Sequence, residues 1–470
     1  MNIRNNNSDI NQEPTIPLKH AIIYIICMIC VTAFYFIIWQ DAPIVGKDSF
    51  VYMEIARDLT DFKLDKFYER TIGYPVLLLL TGSSQQPTDL LFLIQLLLHF
   101  VSVFLLIILL YKFAVPTGWI IVFFIFSILP PAAGAAGLAL TENPTQVLLI
   151  FGVVGLVMWH WKGGWLWLIL SAFSWAYCGI TRPTYQLLPA AIAVMMLMLP
   201  RISPSLIADK KRSLISCAAI LLTGLFIIGG VMLYNQAAFG YGRLTSLSVG
   251  YFLGSKTVAV LEDAPDEYAE IRDILISHRD SLAFIDPEYY HSVYDYEWAA
   301  LSEIQEATGL SKAEISDIMM DMNLKLIKSN PMVFLEEIAL AMGRFWLPMA
   351  AGSEAGSYPK WFLLLYTMVH FLMITLFFLI LIAIEGIAAL SQQLYGKLVE
   401  GDKSIFSLRL FGILLISVSL FYTAVLSTIA STGYARYRWP MDLLILFATI
   451  ILIDTFLKFR KRLSRISTND

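Results

Sequence analysis

Asp48, Glu142, Arg182, Arg436 and Arg438 stand at or beside the ends of apolar runs, where ionisable side chains are costly and mark function by default. They come from four distant stretches: Gly46-Lys47-Asp48-Ser49-Phe50-Val51-Tyr52, Thr141-Glu142-Asn143-Pro144, Gly179-Ile180-Thr181-Arg182-Pro183 and Tyr434-Ala435-Arg436-Tyr437-Arg438-Trp439-Pro440. A carboxylate can take the proton from a hydroxyl, which is a poor nucleophile until it does. A guanidinium is permanently charged and meets a phosphate with two parallel donors. It also stabilises that phosphate as it leaves. The set therefore predicts group transfer in which a hydroxyl attacks and a phosphate departs. The carboxylates of Asp48 and Glu142 are the groups here that could take a proton, and Arg182, Arg436 and Arg438 those that could meet a phosphate. Tyr52, Arg70, Tyr74, Glu142, Tyr437 and Arg344 are candidates for the substrate pocket.

Plainer roles are open to each of them. Asp48 is well placed to N-cap a helix beginning at Ser49. Glu142 could cap the next span or pair with a basic residue, and Arg182 before Pro183 could be a snorkelling anchor. Arg436 and Arg438 lie among Tyr434, Tyr437 and Trp439, the composition of an interfacial aromatic belt.

The elements that must position these residues are membrane spans. Hydrophobic residues make up 58% of the chain and charged ones 15%, which places it in the polytopic membrane class. Runs long enough to cross about 30 Å of hydrocarbon predict about ten spans, centred near residues 30, 100, 124, 150, 172, 192, 224, 372, 418 and 449. The expected fold is an all-α bundle. Those near 124 and 172 are the shortest. A net charge of −4 argues against a nucleic-acid partner. The cysteines, Cys27, Cys30, Cys178 and Cys217, all fall in spans, so no disulfide framework is expected outside them.

Basic residues set the orientation. Arg4, Lys19, Lys112, Lys162, the Arg201 to Arg212 loop, Lys397, Lys403, Arg409 and the tail from Lys458 all fall on one side of a ten-span chain. That side is cytoplasmic by the positive-inside rule. Residues 1–18 then form a disordered cytoplasmic lead and 19–235 a membrane module whose first outer loop, 41–86, carries Asp48. An outer helical segment at 236–358, membrane helices at 359–457 and a basic cytoplasmic tail at 458–470 follow. Within the outer segment the pattern predicts helices over Asp266–His278, Tyr296–Thr308, Lys312–Lys328 and Met332–Phe345. Gly309 would stop one helix, and Ser311 with Glu314 would cap the next. This segment is too short, and too poor in alternating strands, to be an independent enzyme. The outward stretches lack an Asn-X-Ser/Thr sequon with a permitted middle residue, since Pro144 follows Asn143. This favours a bacterial inner membrane.

The cluster Asp286, Glu288, His291 and Asp295 fits no standard metal spacing. With Tyr289, Tyr290, Tyr294 and Tyr296 between its members it reads as a solvated, aromatic-anchored face and a candidate for acceptor contact. His99 and His370 lie within spans and are expected to be packed, hydrogen-bonded residues.

Five motifs together resemble the GT-C glycosyltransferases, in particular the bacterial lipid-carrier-dependent branch related to protein O-mannosyltransferases and lipid A aminoarabinose transferases. These are Asp48 to Ala56 with Arg70-Thr-Ile-Gly-Tyr-Pro75, Thr141 to Pro144, Gly179 to Pro183, Asn330-Pro331 with Arg344-Phe345-Trp346, and Arg436 to Pro440. The likeness runs from about residue 20 to 457. It implies a GT-C-like bundle, Asp48 as general base and basic residues on a lipid phosphate. It implies an enzyme of EC class 2.4 that moves a sugar from a polyprenyl-phosphate donor to a lipid, glycan or protein acceptor hydroxyl. One base and no covalent intermediate give inversion. The chain departs from the mannosyltransferase pattern at Ser49, where a second acidic residue would follow the first. Metal use varies within the family; no spacing here compels a divalent metal, and the cofactor is unknown. A polyprenyl-lipid transporter or flippase would spread polar groups through the membrane depth and usually repeat its halves. A non-catalytic envelope-assembly protein would need the outer helical face instead of Asp48.

Overall fold

The computed structural model describes residues 16–38, 43–61, 70–202, 209–247, 249–285, 296–346 and 403–467, with positions 364, 368, 372 and 375. Among the described residues seven helical stretches are long and apolar enough to cross a membrane: Leu18–Ile38, Asp89–Lys112, Glu142–Lys162, Pro183–Arg201, Lys210–Phe239, Ile405–Ile429 and Trp439–Lys458. The chain is an all-α, multi-pass membrane protein, as a lipid-spanning backbone that satisfies its own hydrogen bonds requires. The stretches expected near 124 and 172 are apolar helices too, Thr117–Ile128 and Trp165–Thr181, but shorter than the seven. Most of the stretch around residue 372, the lead before residue 16, and the cluster at Asp286 to Asp295 lie outside the described residues.

In chain order the helices are α1 (Leu18–Ile38), α2 (Lys47–Thr60), α3 (Gly73–Leu80), α4 (Asp89–Lys112), α5 (Thr117–Ile128) and α6 (Pro130–Ala133). Then come α7 (Glu142–Lys162), α8 (Trp165–Thr181), α9 (Leu188–Ile202) and α10 (Lys210–Phe239). The segment expected to face outward holds α11 (Val249–Phe252), α12 (Ala269–Ile285), α13 (Tyr296–Thr308), α14 (Lys312–Ser329) and α15 (Pro331–Trp346). Helices α16 (Lys403–Ile429) and α17 (Asp442–Ser467) close the bundle.

Apolar attraction alone does not hold helices together in lipid, so small residues that admit close packing carry much of the association. The α7–α8 hairpin is built this way. A Cβ on Gly152 would lie 2.5 Å from the Trp175 ring, and one on Gly155 2.7 Å from the Trp167 carbonyl. Ser171 Oγ donates to the Gly152 carbonyl at 2.8 Å. Helix α7 is buried along most of its length, whereas α10 leaves Leu222, Leu225, Phe226 and Leu233 exposed, a surface fit for lipid. His99 is packed and hydrogen-bonded as expected: one ring nitrogen lies 3.0 Å from the Ser127 carbonyl, the other 3.1 Å from Gln146 Nε2.

The outer segment has its own apolar core, in which Tyr251, Leu261, Leu275, Tyr296, Ile304, Met319 and Leu326 meet. Ser311 caps α14, accepting from the Glu314 N–H at 3.3 Å while Glu314 accepts from the Ser311 N–H at 2.9 Å. Gly309, at φ +68°, makes the left-handed turn before it. Two expectations change. The helix of the first loop begins at Lys47 with Gly46 as its N-cap, so Asp48 lies in its first turn. Tyr296 is not a surface tyrosine: it is fully buried, and its hydroxyl donates to the Gly254 carbonyl at 3.1 Å.

Candidate functional site

Asp48 is held by the local structure around the start of α2. Ser49, fully buried beside it, donates its hydroxyl to the Ala139 carbonyl at 2.7 Å and accepts from the Gly46 N–H at 3.0 Å. The Ile44 N–H bonds the Gly137 carbonyl at 2.8 Å, and the Ala139 N–H bonds Ile44 at 2.9 Å. These bonds staple the approach to α2 onto the strand-like approach to α7, three residues before Glu142. Ser49, the position where the mannosyltransferase pattern has an acid, is here an anchor.

A second clamp brings Arg70 and Arg182 to the same end of the bundle. The first residue of α3 is Gly73, and a Cβ there would lie 2.6 Å from the Ile180 carbonyl and 2.7 Å from the Thr181 nitrogen. Only glycine permits that approach. Tyr177 donates its hydroxyl to the Gly73 carbonyl at 2.9 Å, and Thr71 Oγ1 to the Thr181 carbonyl at 3.4 Å. Helix α8 ends at Thr181 because Pro183 follows Arg182 in extended backbone. The turn that carries Arg436 is seated by Gly433 at φ +70°, where a Cβ would fall 2.2 Å from the Ala341 carbonyl of α15.

The result is one network of charge. Arg70 Nη2 lies 3.1 Å from Asp48 Oδ1, and Arg436 Nη2 lies 3.4 Å from Asp48 Oδ2. Arg436 Nε also bonds Glu142 Oε1, which Arg182 Nη1 reaches at 3.2 Å. The Arg182 guanidinium lies 5.2 Å from the Tyr437 ring centre. Burial differs sharply across the network. The Glu142 side chain is 1% exposed, whereas those of Asp48 and Arg436 are 37% and 35% exposed. Glu142 is thus the sealed hub and Asp48 the accessible rim. Burial raises the Asp48 carboxyl, but Arg70, then Arg436 and Arg182, oppose it, and the balance holds it below the ordinary carboxylate range. Asp48 is therefore ionised at neutral pH.

Tyr52, one turn along α2 from Asp48, is buried edge-on against Tyr74, with ring centres 5.4 Å apart. Tyr74 is fully buried and donates its hydroxyl to Gln95 Oε1 at 3.4 Å. These tyrosines pack beneath the carboxylates. Arg344 joins its guanidinium to the Thr432 carbonyl at 3.5 Å and so braces the turn before Arg436. Arg438, expected beside Arg436, has no exposed surface. It bonds Asp442 Oδ1 at 2.9 Å and the Phe345 carbonyl, pinning the start of α17 to the end of α15. The structure brings together Asp48, Arg70, Glu142, Arg182, Arg436, Tyr437, Tyr52 and Tyr74, and sets Arg438 apart from the network.

Sequence reasoning missed two contributors. Gln95 donates to the Ala136 and Leu138 carbonyls at 2.8 and 3.1 Å, fixing the approach to α7 from inside the bundle. A glutamine one turn before His99 in an otherwise apolar span was the available signal. Trp298 of α13 places its ring 5.2 Å from the Arg70 guanidinium, and nothing local in the sequence marked it. Among the described residues no group of three or more His, Cys, Asp or Glu is gathered to hold a metal ion. No family model, curated protein or solved structure matches this chain.

Proposed function

We propose that the protein is a GT-C-type glycosyltransferase of the bacterial inner membrane that moves a sugar from a polyprenyl-phosphate donor to an acceptor hydroxyl. The observation that carries this reading is the single network in which Asp48 and Glu142 meet Arg70, Arg182 and Arg436 at one end of the bundle. An ionised, partly open carboxylate beside guanidiniums is what proton removal coupled to phosphate departure needs. The acceptor oxygen bonds to the anomeric carbon as the bond from that carbon to the phosphate oxygen breaks. The acceptor proton passes to Asp48, and the polyprenyl phosphate leaves as an anion. Arg436, half-exposed and only 3.4 Å from Asp48, can exchange part of that pairing for the donor phosphate. Arg182, held against Tyr437 and Glu142, supplies a second, fixed charge. Tyr52 and Tyr74 shape the floor.

Ten spans with both termini cytoplasmic would place this end of the bundle on the periplasmic side, with the lipid tail of the donor in the membrane beside it. The test is purified full-length protein with radiolabelled polyprenyl-phosphate sugars and a crude envelope extract, beside Asp48→Asn. Transfer is expected with the wild type, and a loss on the order of 10²–10⁴-fold in the variant, with lipid binding retained. Full turnover in a folded Asp48→Asn protein would remove the mechanism. Equal lipid binding without transfer from any donor would move the assignment to lipid transport or scaffolding.

A further inference from the structure

Besides the α15 contacts to the turn before Arg436, the outer segment meets the charge network at an aromatic side chain of α13. In α13, Tyr296, Ala300, Leu301 and Ile304 are buried in the segment's own core, but Trp298 is turned away from it and is 39% exposed. Its ring is fixed from behind: Tyr251 meets it edge-on at 5.2 Å and 67°, and Phe252 at 6.2 Å. Tyr251 is itself fully buried. The ring then faces the Arg70 guanidinium, 5.2 Å from its centre, and Arg70 faces Asp48 at 3.1 Å. Indole is the best of the aromatic faces for a cation, and a planar guanidinium fork loses little freedom when stacked on it.

We propose that Trp298 is a positioning residue: its indole holds Arg70 in the orientation that pairs with Asp48, so the outer segment completes the site. Asp48 is then faced by Arg70 from the approach to α3, Arg436 from the turn before α17 and Arg182 from the end of α8. Glu142 of α7 and Tyr52 of α2 lie close by. Of these, Arg70 is the one that a described aromatic ring of the outer segment stacks against. Displacing α13 would release Arg70 and leave Asp48 to Arg436. An acceptor that docks on the outer segment therefore has a direct mechanical route to the carboxylate. The catalytic consequence rests on Asp48 as the base; the placement of Arg70 does not.

Two readouts separate these. The first is the rate at which phenylglyoxal modifies Arg70 in the full-length protein in detergent, followed by peptide mass spectrometry. Trp298→Leu keeps apolar bulk but has no aromatic face, and Trp298→Tyr restores one. Arg70 should react roughly 2–5-fold faster in the Leu variant, at the wild-type rate in the Tyr variant, and with Arg272 and Arg243 of the outer segment unchanged in both. An unchanged Arg70 rate in Trp298→Leu, or a rise shared by Arg272 and Arg243, would overturn the proposal. The second readout is the pH profile of sugar transfer. Trp298→Leu should move its acid limb upward by roughly half a unit, and Trp298→Tyr should return it. An unmoved limb with faster Arg70 labelling would sink the reading of Asp48 as base and leave the placement standing.

Discussion

Two clusters of buried charge occupy the two ends of the bundle, and they are built on opposite principles. At one end Arg409 of α16 bonds Asp454 of α17 at 2.9 Å, with side chains only 5% and 4% exposed. Lys458 joins Asp454 at 2.7 Å. Arg409 and Lys458 also donate to the Phe113 and Ala114 carbonyls at the end of α4, where cations complement the helix dipole. Ala114 sits at φ +51°, a left-handed turn that these bonds hold in place. At the other end, about twenty residues or roughly 30 Å along α16, the Asp48 network is drawn from more segments and left partly open. A sealed pair such as Arg409 and Asp454, with Arg409 tied to a backbone carbonyl and the 44% exposed Lys458 closing its edge, is a staple. An open one whose guanidiniums are shared between carboxylates can exchange partners with a ligand. Burial and backbone bonding, more than the presence of charge, separate the two.

Removing one member of the staple should have the largest effect on stability. Arg409→Met leaves Asp454 with Lys458 alone and should cost ~3–5 kcal/mol, measured by denaturant unfolding in detergent. Turnover per folded molecule should stay near wild type, and a selective loss of turnover would break the distinction. Asp48→Asn should do the reverse, stopping transfer while the unfolding midpoint barely moves. Gly73→Ala touches both properties, because its Cβ meets backbone that cannot yield. Overpacking of this kind costs ~1–3 kcal/mol, and a shift of about 1 Å between Arg70 and Arg182 would lower turnover by up to roughly 10²-fold. Normal stability and turnover would mean the α3–α8 clamp does not set the site.

The pH response sharpens the comparison further. The folded-state value of Asp48 lies below its ordinary one. Its contribution to stability is fully present above the unfolded value, near 3.9, and is lost as pH falls through the lower folded value. Its proposed role as a base should follow the same direction, so the acid limb of the proposed transfer should lie below the ordinary carboxylate range. A limb near neutrality would point to a different proton acceptor. The smallest effect is expected from Ser311→Ala, which removes the α14 cap for about 1 kcal/mol. Hydrogen exchange should rise near Ser311 alone, with turnover unchanged.

Helices and their order were largely legible, because apolar runs, prolines and capping residues act locally. Pro183 ends α8 and Ser311 starts α14 whatever surrounds them. The types of the site residues were legible as well, since charge at a span's end is expensive enough to demand a reason. What the sequence by itself determined was thus a multi-pass helical protein with carboxylates and arginines at the ends of its spans. Which arginines meet which carboxylates was decided only by tertiary structure. Arg436 and Arg438 are two residues apart with the same side chain, yet one reaches Asp48 and Glu142 while the other is sealed against Asp442 and Phe345. Trp298 reaches Arg70 only because that segment's own core turns this side of α13 toward the charge network. Such choices depend on helix rotation and on contacts such as Gly73 against Ile180 and Gly433 against Ala341, which no local pattern encodes.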